Sequence, residues 1–250
     1  MGALHAGHAS LIRAARKTCS QVSVSIFVNP TQFGPTEDFE RYPRSFEADC
    51  ALAEREGTDV IFVPAVEEMY PAGSKTFVDL GRLGNRLDGE SRPGHFRGVA
   101  TVVAKLLIAA EPDFAFFGQK DAAQVAVLRR MAADLRIATE IVVCPTVRDA
   151  DGLALSSRNA YLSAEERRQA LVLSRAIRCA ESLAAQGERH AATLIAAARE
   201  VLAMEPAVRV EYIQLVDWAT LEVTGNAEPG TLFAVAAWFG KTRLIDNTVL

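Results

Sequence analysis

The chain has 250 residues, 50% of them hydrophobic and 23% charged, with a net charge of −4. That is enough chain for one large buried core or two modest ones. The charge excludes the strong basic field that holds nucleic acid or an anionic membrane, and no run reaches the roughly 18 apolar residues of a membrane span.

In chain order, Leu11 to Lys17 interleaves apolar and basic residues and predicts an amphipathic helix that begins near His8. Gln21 to Asn29 (QVSVSIFVN) is rich in β-branched residues and predicts a strand. Asp59 to Pro64, Phe114 to Gly118 and Glu140 to Pro145 are further short apolar runs. Such runs suit parallel strands buried on both faces. Helical patterns fill the intervals at Ser45–Glu56, Gly98–Ala110 and Asp121–Leu135. The alternation predicts an α/β fold, a Rossmann-like doubly wound parallel sheet that binds its ligand at the carboxyl ends of the strands. The texture then changes. Ser163 and Glu166 form a capping box ahead of a long helix to about Gln186, with Gly187 as its stop. A helix over Ala191–Met204 and strands at Val208–Asp217 and Thr231–Trp238 complete a smaller α+β domain. The division predicted is 1–147 for the nucleotide- and substrate-binding domain and 148–250 for the C-terminal domain.

The N-terminus lacks the basic-then-apolar order of a secretory signal. Cys19, Cys50, Cys144 and Cys179 are widely spaced, which suits reduced thiols rather than a disulfide framework or a zinc site.

Five segments carry candidate chemistry. In Met1-Gly2-Ala3-Leu4-His5-Ala6-Gly7-His8 two of the four histidines stand three apart where a helix begins. Residues three apart share a helix face, and the free N–H groups there favour an anion. A cap or a solvated side chain is the plainer alternative for either histidine alone. Gln32, in Asn29-Pro30-Thr31-Gln32-Phe33, brings donor and acceptor capacity among apolar neighbours, or else bonds its own loop. Arg92, His95 and Arg97 form a compact basic loop suited equally to a carboxylate or phosphate, a solvated turn or a subunit contact. Gly118-Gln119-Lys120-Asp121 follows a strand and opens a helix, with Gln124 one turn on. Glycine admits a ligand, Lys120 is a compact cation, and Asp121 suits a ribose hydroxyl or an N-cap. After the Asp151-Gly152 turn, Ser156, Ser157 and Arg158 cluster two hydroxyls and a guanidinium suited to phosphate oxygens. No P-loop sequence is present.

Taken in order, MGALHAGH, FVNPTQF, DFERYPR, RPGHFRGVATVVAKL, FGQKD, DGLALSSRN and RLIDN resemble the pantoate–β-alanine ligase family over essentially the whole chain. HAGH is similar to the HIGH-type signature of the nucleotidyltransferases, and SSRN to the KMSKS-type loop. The resemblance implies ATP-dependent condensation of (R)-pantoate with β-alanine through a pantoyl-adenylate, releasing AMP and diphosphate. It implies that Met1, Gly2, Ala3, Leu4, His5, Ala6, Gly7 and His8 line the ATP site, together with Gly118, Gln119, Lys120, Asp121, Val147, Leu155, Ser156, Ser157 and Arg158. His8, His5 and Lys120 are the implied catalytic residues, His8 as proton donor. Gln32 and Gln124 are the implied pantoate residues, with Gln32 also near β-alanine. Mg2+ on the phosphates, a homodimer and a cytoplasmic location follow from the same resemblance. The chain departs from the pattern at Ala123, the first of two paired glutamines in family members, while the second, Gln124, is kept. It also starts at the methionine that in family members follows a strand ending in VPTMG, a strand expected inside the sheet. The start is thus expected to lie upstream, or else the chain is a truncated, impaired or non-catalytic fragment; a related nucleotidyltransferase is the other alternative.

Overall fold

A computed structural model describes residues 2–35 and 37–250. Met1, one of the expected nucleotide residues, lies outside the described residues. The chain divides into two compact units. One comprises Met1–Gly118 and Ala123–Cys144, the other Gln119–Ala122 and Pro145–Leu250.

The first unit is mixed α/β. Helix α1 (Ala6–Thr18) buries Ala9, Ile12 and Ala15. This stripe packs with Val22, Val24, Ile26 and Ala53. Strand β1 (Ser23–Ser25) pairs in parallel with β2 (Val60–Phe62), Ser23 opposite Val60 and Ser25 opposite Phe62. The strand expected over Gln21–Asn29 is therefore shorter. Its partner is only three residues long, and pairing closes with Ile26 N–H on the Phe62 carbonyl at 2.9 Å. Pro30, which has no N–H to give a ladder, then opens a 3₁₀ turn over Pro30–Gln32.

Helix α2 (Phe46–Arg55) lies between these two strands in sequence, and the short helices α3 (Val66–Met69) and α4 (Asp88–Ser91) follow them. Helix α5 (His95–Ala110) starts three residues earlier than its sequence pattern. Gly94 adopts φ 82 at its N-cap and Phe96 is an anchor only 1% exposed. The basic loop thus contributes His95 and Arg97 to the helix itself. Strand β3 (Phe114–Gly118) pairs in parallel with β4 (Glu140–Cys144) over its full length. Helix α6 (Ala122–Asp134) lies between them in sequence, led by a 3₁₀ turn over Gln119–Asp121. Among the described residues the parallel strands form two separate pairs, β1–β2 and β3–β4.

The second unit packs α7 (Ala164–Ala185) and α8 (Ala191–Ala203) with an antiparallel sheet of β5 (Arg209–Asp217), β6 (Thr231–Phe239) and β7 (Thr242–Val249), in that order. The predicted capping box holds. Ser163 Oγ accepts from Glu166 N–H and Glu166 Oε2 from Ser163 N–H. The core is aliphatic and aromatic, with Leu173, Ile177, Leu194, Leu215, Phe233 and Phe239 at 1% exposure or less. Strand β7 has no counterpart in the sequence reading. It folds back on β6 through Gly240-Lys241, with Gly240 at φ 56, the hairpin geometry that glycine permits. All four cysteines are free. No helix among the described residues is long and apolar enough to cross a membrane.

Candidate active site

The two histidines of the opening motif cap α1 for each other. Nδ1 of His5 accepts from Gly7 N–H at 3.1 Å, and Nδ1 of His8 accepts from His5 N–H at 3.3 Å. This is a capping box built from imidazoles, where Ser and Glu usually serve. An Nδ1 that accepts leaves the ring proton on Nε2, so both rings are Nε2 donors. The rings stack at 4.1 Å between centroids. The cap alternative therefore holds for both histidines: each ring caps through Nδ1 and carries its proton on Nε2.

A residue absent from the sequence reading aims this segment. Asp49 in α2 is 2% exposed. Its carboxylate accepts from Ala3 N–H at 2.9 Å, Leu4 N–H at 2.7 Å and the Ser45 hydroxyl at 2.9 Å. Ala3 sits at φ 49, a left-handed conformation that costs a non-glycine residue free energy. The two hydrogen bonds to Asp49 flank and hold that turn. In sequence Asp49 is one acid among several on a helical pattern, so nothing local marked it.

Gln32 is set by its neighbours in the turn after β1. Asn29, 3% exposed, donates from Nδ2 to Gln32 Oε1 and to the Gly98 carbonyl, both at 3.1 Å. The Asn29 Oδ1 accepts from Tyr70 OH at 2.8 Å and Thr31 Oγ1 at 2.9 Å. The Gln32 carboxamide therefore has its oxygen engaged and its N–H₂ as the donor left for a ligand. Helix α5 comes so close that a Cβ on Gly98 would lie 2.3 Å from the Thr31 carbonyl, so only glycine fits there.

The basic residues of the next segment divide. Arg92 forms a bidentate pair with Glu37, Nε to Oε1 at 2.9 Å and Nη2 to Oε2 at 2.5 Å. Its Nη1 lies 3.0 Å from His95 Nε2, and His95 Nδ1 lies 2.8 Å from the Gln32 carbonyl. Arginine can only donate, so Nε2 accepts and Nδ1–H donates to Gln32. Burial first, then the Arg92 charge, lowers the His95 pKa to about 4, which keeps the ring neutral. Arg92 and His95 are thus a brace behind Gln32. Arg97 turns elsewhere, with its guanidinium 4.1 Å over the Phe77 ring. Gln124, the other expected pantoate residue, is half-buried in the first turn of α6 among the buried Ala123, Val125 and Leu128. Gly118 ends β3 with open space where a Cβ would be.

In the second unit, Lys120 Nζ meets Asp121 Oδ1 at 3.1 Å. The predicted Asp151-Gly152 turn is the tip of a small hairpin, with Gly152 at φ 94 and an antiparallel bridge between Arg148 and Ala154. Arg167 steadies it from α7, bonding Asp149 and Asp151 at 2.8 Å each. This hairpin brings Val147 and Leu155 together, Leu155 N–H donating to the Val147 carbonyl at 3.0 Å. Ser156 then caps the 3₁₀ turn Ser157–Tyr161 by accepting from Arg158 N–H at 3.2 Å. Its hydroxyl proton remains a donor, as a ligand oxygen requires. No group of three or more His, Cys, Asp or Glu among the described residues could hold a metal.

The family model described as pantoate-beta-alanine ligase matches residues 1–249. The pantothenate synthetase of Acidobacterium capsulatum is 63% identical over 250 residues, covering 100% of this chain and 84% of that protein. The crystal structure of pantothenate synthetase from Thermus thermophilus aligns with a TM-score of 0.96 at 47% identity, covering 100% of this chain and 90% of that one. A pantoate-beta-alanine ligase from Francisella tularensis, solved with β,γ-ATP and β-alanine, aligns at 0.81 and 34% identity over 100% of this chain and 87% of that one. Neither a related nucleotidyltransferase nor a non-catalytic fragment is favoured by these matches.

Proposed function

This chain belongs to the pantoate–β-alanine ligase family, and we propose how its own residues divide that reaction. It is a ligase that uses ATP to join pantoate and β-alanine. A carboxylate is a poor electrophile, so one pantoate oxygen attacks the α-phosphorus and diphosphate leaves. The β-alanine nitrogen then attacks the acyl carbon of the pantoyl-adenylate, loses a proton and expels AMP.

His8 and His5 donate hydrogen bonds from Nε2 to the phosphates and stabilise the charge that builds as diphosphate departs. The reciprocal imidazole cap is the observation that supports this role, because accepting at both Nδ1 atoms puts the ring protons on Nε2. Gly2 to Gly7 supply backbone to the nucleotide. Gln32 and Gln124 take the pantoate hydroxyl and carboxylate, and Gln32 also lies near β-alanine. Gly118 to Asp121 serve ribose and phosphate, with Lys120 as the cation, and Val147 and Leu155 to Arg158 serve the nucleotide. Among the described residues the chain offers no resident cage for a divalent ion. Magnesium fits as part of the ATP complex, held chiefly by phosphate oxygens and water.

The domain split at 147 and 148 and a cytoplasmic location belong to the same proposal. So does a homodimer. Val60, Phe62, Val63 and Val66 are 39–45% exposed on and beside β2, an apolar strip that a second copy would cover.

The test is pantoate-dependent diphosphate release by His8→Ala. We expect a loss of about 10²- to 10⁴-fold with the chain still folded. Wild-type adenylation by that variant would remove His8 from the chemistry.

A further inference from the structure

The terminal motif RLIDN has no role in the reaction as assigned, yet its polar end is buried. Asp246, Asn247 and Thr248 are 2%, 4% and 9% exposed at the end of β7. Successive residues of a strand face opposite ways, and the first two of these meet different partners accordingly. Asp246 takes a bidentate pair from Arg148, at 2.6 and 2.9 Å. Asn247 donates from Nδ2 to the carbonyls of Gln119, at 3.0 Å, and Lys120, at 2.8 Å.

Those two carbonyls belong to the peptide planes on either side of the Lys120 Cα. Each plane is rigid, so a residue has only φ and ψ to vary. Fastening both planes to one side-chain amide fixes both angles at Lys120, and with them the direction in which its stem leaves the backbone. Trp218 extends the clamp, its Nε1 donating to the Ala122 carbonyl at 2.9 Å. Three carbonyls of the Gln119–Ala122 turn are therefore held by side chains of the β-sheet unit, the unit to which this turn belongs. The donor chemistry is specific. Aspartate has the shape of asparagine but nothing to donate, and glutamine is longer by one methylene.

We propose that Asn247, supported by Trp218, is a positioning residue for Lys120, so that the last strand sets the aim of the phosphate-binding cation. This rests on the reading of Lys120 as a phosphate ligand. A misdirected stem would harm adenylation, where the phosphates react, and spare amide formation from the finished adenylate.

The experiment compares Asn247→Asp, Trp218→Phe, Lys120→Ala and the Asn247→Asp/Lys120→Ala double variant of the full chain. Pantoate-dependent ATP–diphosphate exchange reads the first half-reaction. Pantothenate formation from preformed pantoyl-adenylate and β-alanine reads the second. Asn247→Asp should lower exchange by about tenfold or more and raise KM for ATP, with the second half-reaction within about threefold of wild type. Trp218→Phe should give a smaller loss of the same kind, and it carries the test alone if Asn247→Asp does not fold. The double variant should exchange no more slowly than Lys120→Ala, because the clamp acts through that lysine. Equal loss in both half-reactions, multiplying losses in the double variant, or unchanged exchange in Asn247→Asp beside an impaired Lys120→Ala would each overturn the positioning role. Unimpaired exchange in Lys120→Ala would instead overturn the phosphate role of the lysine itself.

Discussion

Two turns in this molecule are held by their carbonyls, and the means differ. The Gln32 turn of the first unit is braced by His95 and Arg92, with Glu37 behind them. The Lys120 turn of the second unit is braced by Asn247 and Trp218. Both braces reach across long sequence intervals, and both leave the functional side chain of the turn out of the bracing. The first, however, is built from ionisable groups and the second from an amide and an indole that do not titrate. Carbonyl anchoring can thus fix a turn with or without a pH dependence.

Between the two braces, the largest expected effect comes from removing the side chain of the turn that the first brace holds. Gln32→Ala should raise KM for pantoate by about 100-fold while KM for ATP moves far less. Steady-state kinetics with each substrate varied check this, and equal changes in both would break the assignment. Asp49→Ala strips the acceptor from the Ala3 and Leu4 amides. We expect a stability loss on the order of 2 kcal/mol and about tenfold slower adenylation, read by thermal unfolding and diphosphate exchange.

The next prediction separates the braces by pH. His95 has a pKa of about 4 in the fold against 6.5 for the free side chain. Between those values the unfolded chain binds the extra proton. The stability that the neutral ring contributes is thus complete above pH 6.5 and is lost as pH falls towards 4. It amounts to the order of 2 kcal/mol, discounted because the ring is partly exposed. The gap in thermal midpoint between wild type and His95→Gln should accordingly narrow from pH 7 to pH 4.5. The gap for Asn247→Ala should stay constant across the same range. The smallest effect on catalysis is expected from Phe62→Glu on the exposed β2 strip. Light scattering should find this variant monomeric, with folding retained.

Much of the fold was legible because its signals are local. The Ser163 and Glu166 capping box predicted the start of α7, and the apolar run Phe114–Gly118 predicted β3 to the residue. The Asp151-Gly152 turn was legible for the same reason. Other boundaries moved because a partner set them. β1 is as short as β2 allows, and α5 begins at His95 because Gly94 can turn there. Strand β7 has no such local signal, since its alternation is interrupted by the polar run Asp246-Asn247-Thr248 that the fold then buries.

The amino-acid sequence by itself determined the order of the motifs and the chemistry each can supply: imidazole at a helix start, amides after a strand, a cation and hydroxyls in turns. Only the tertiary structure decided how those groups are aimed. Asp49 acts on Ala3 across 46 positions, Asn29 on Gly98 across 69, and Asn247 on Gln119 across 128. Each is a side chain bonded to a distant backbone group. A backbone N–H or carbonyl has the same chemistry at every residue, so no pattern in the sequence could name the partner before the chain had folded.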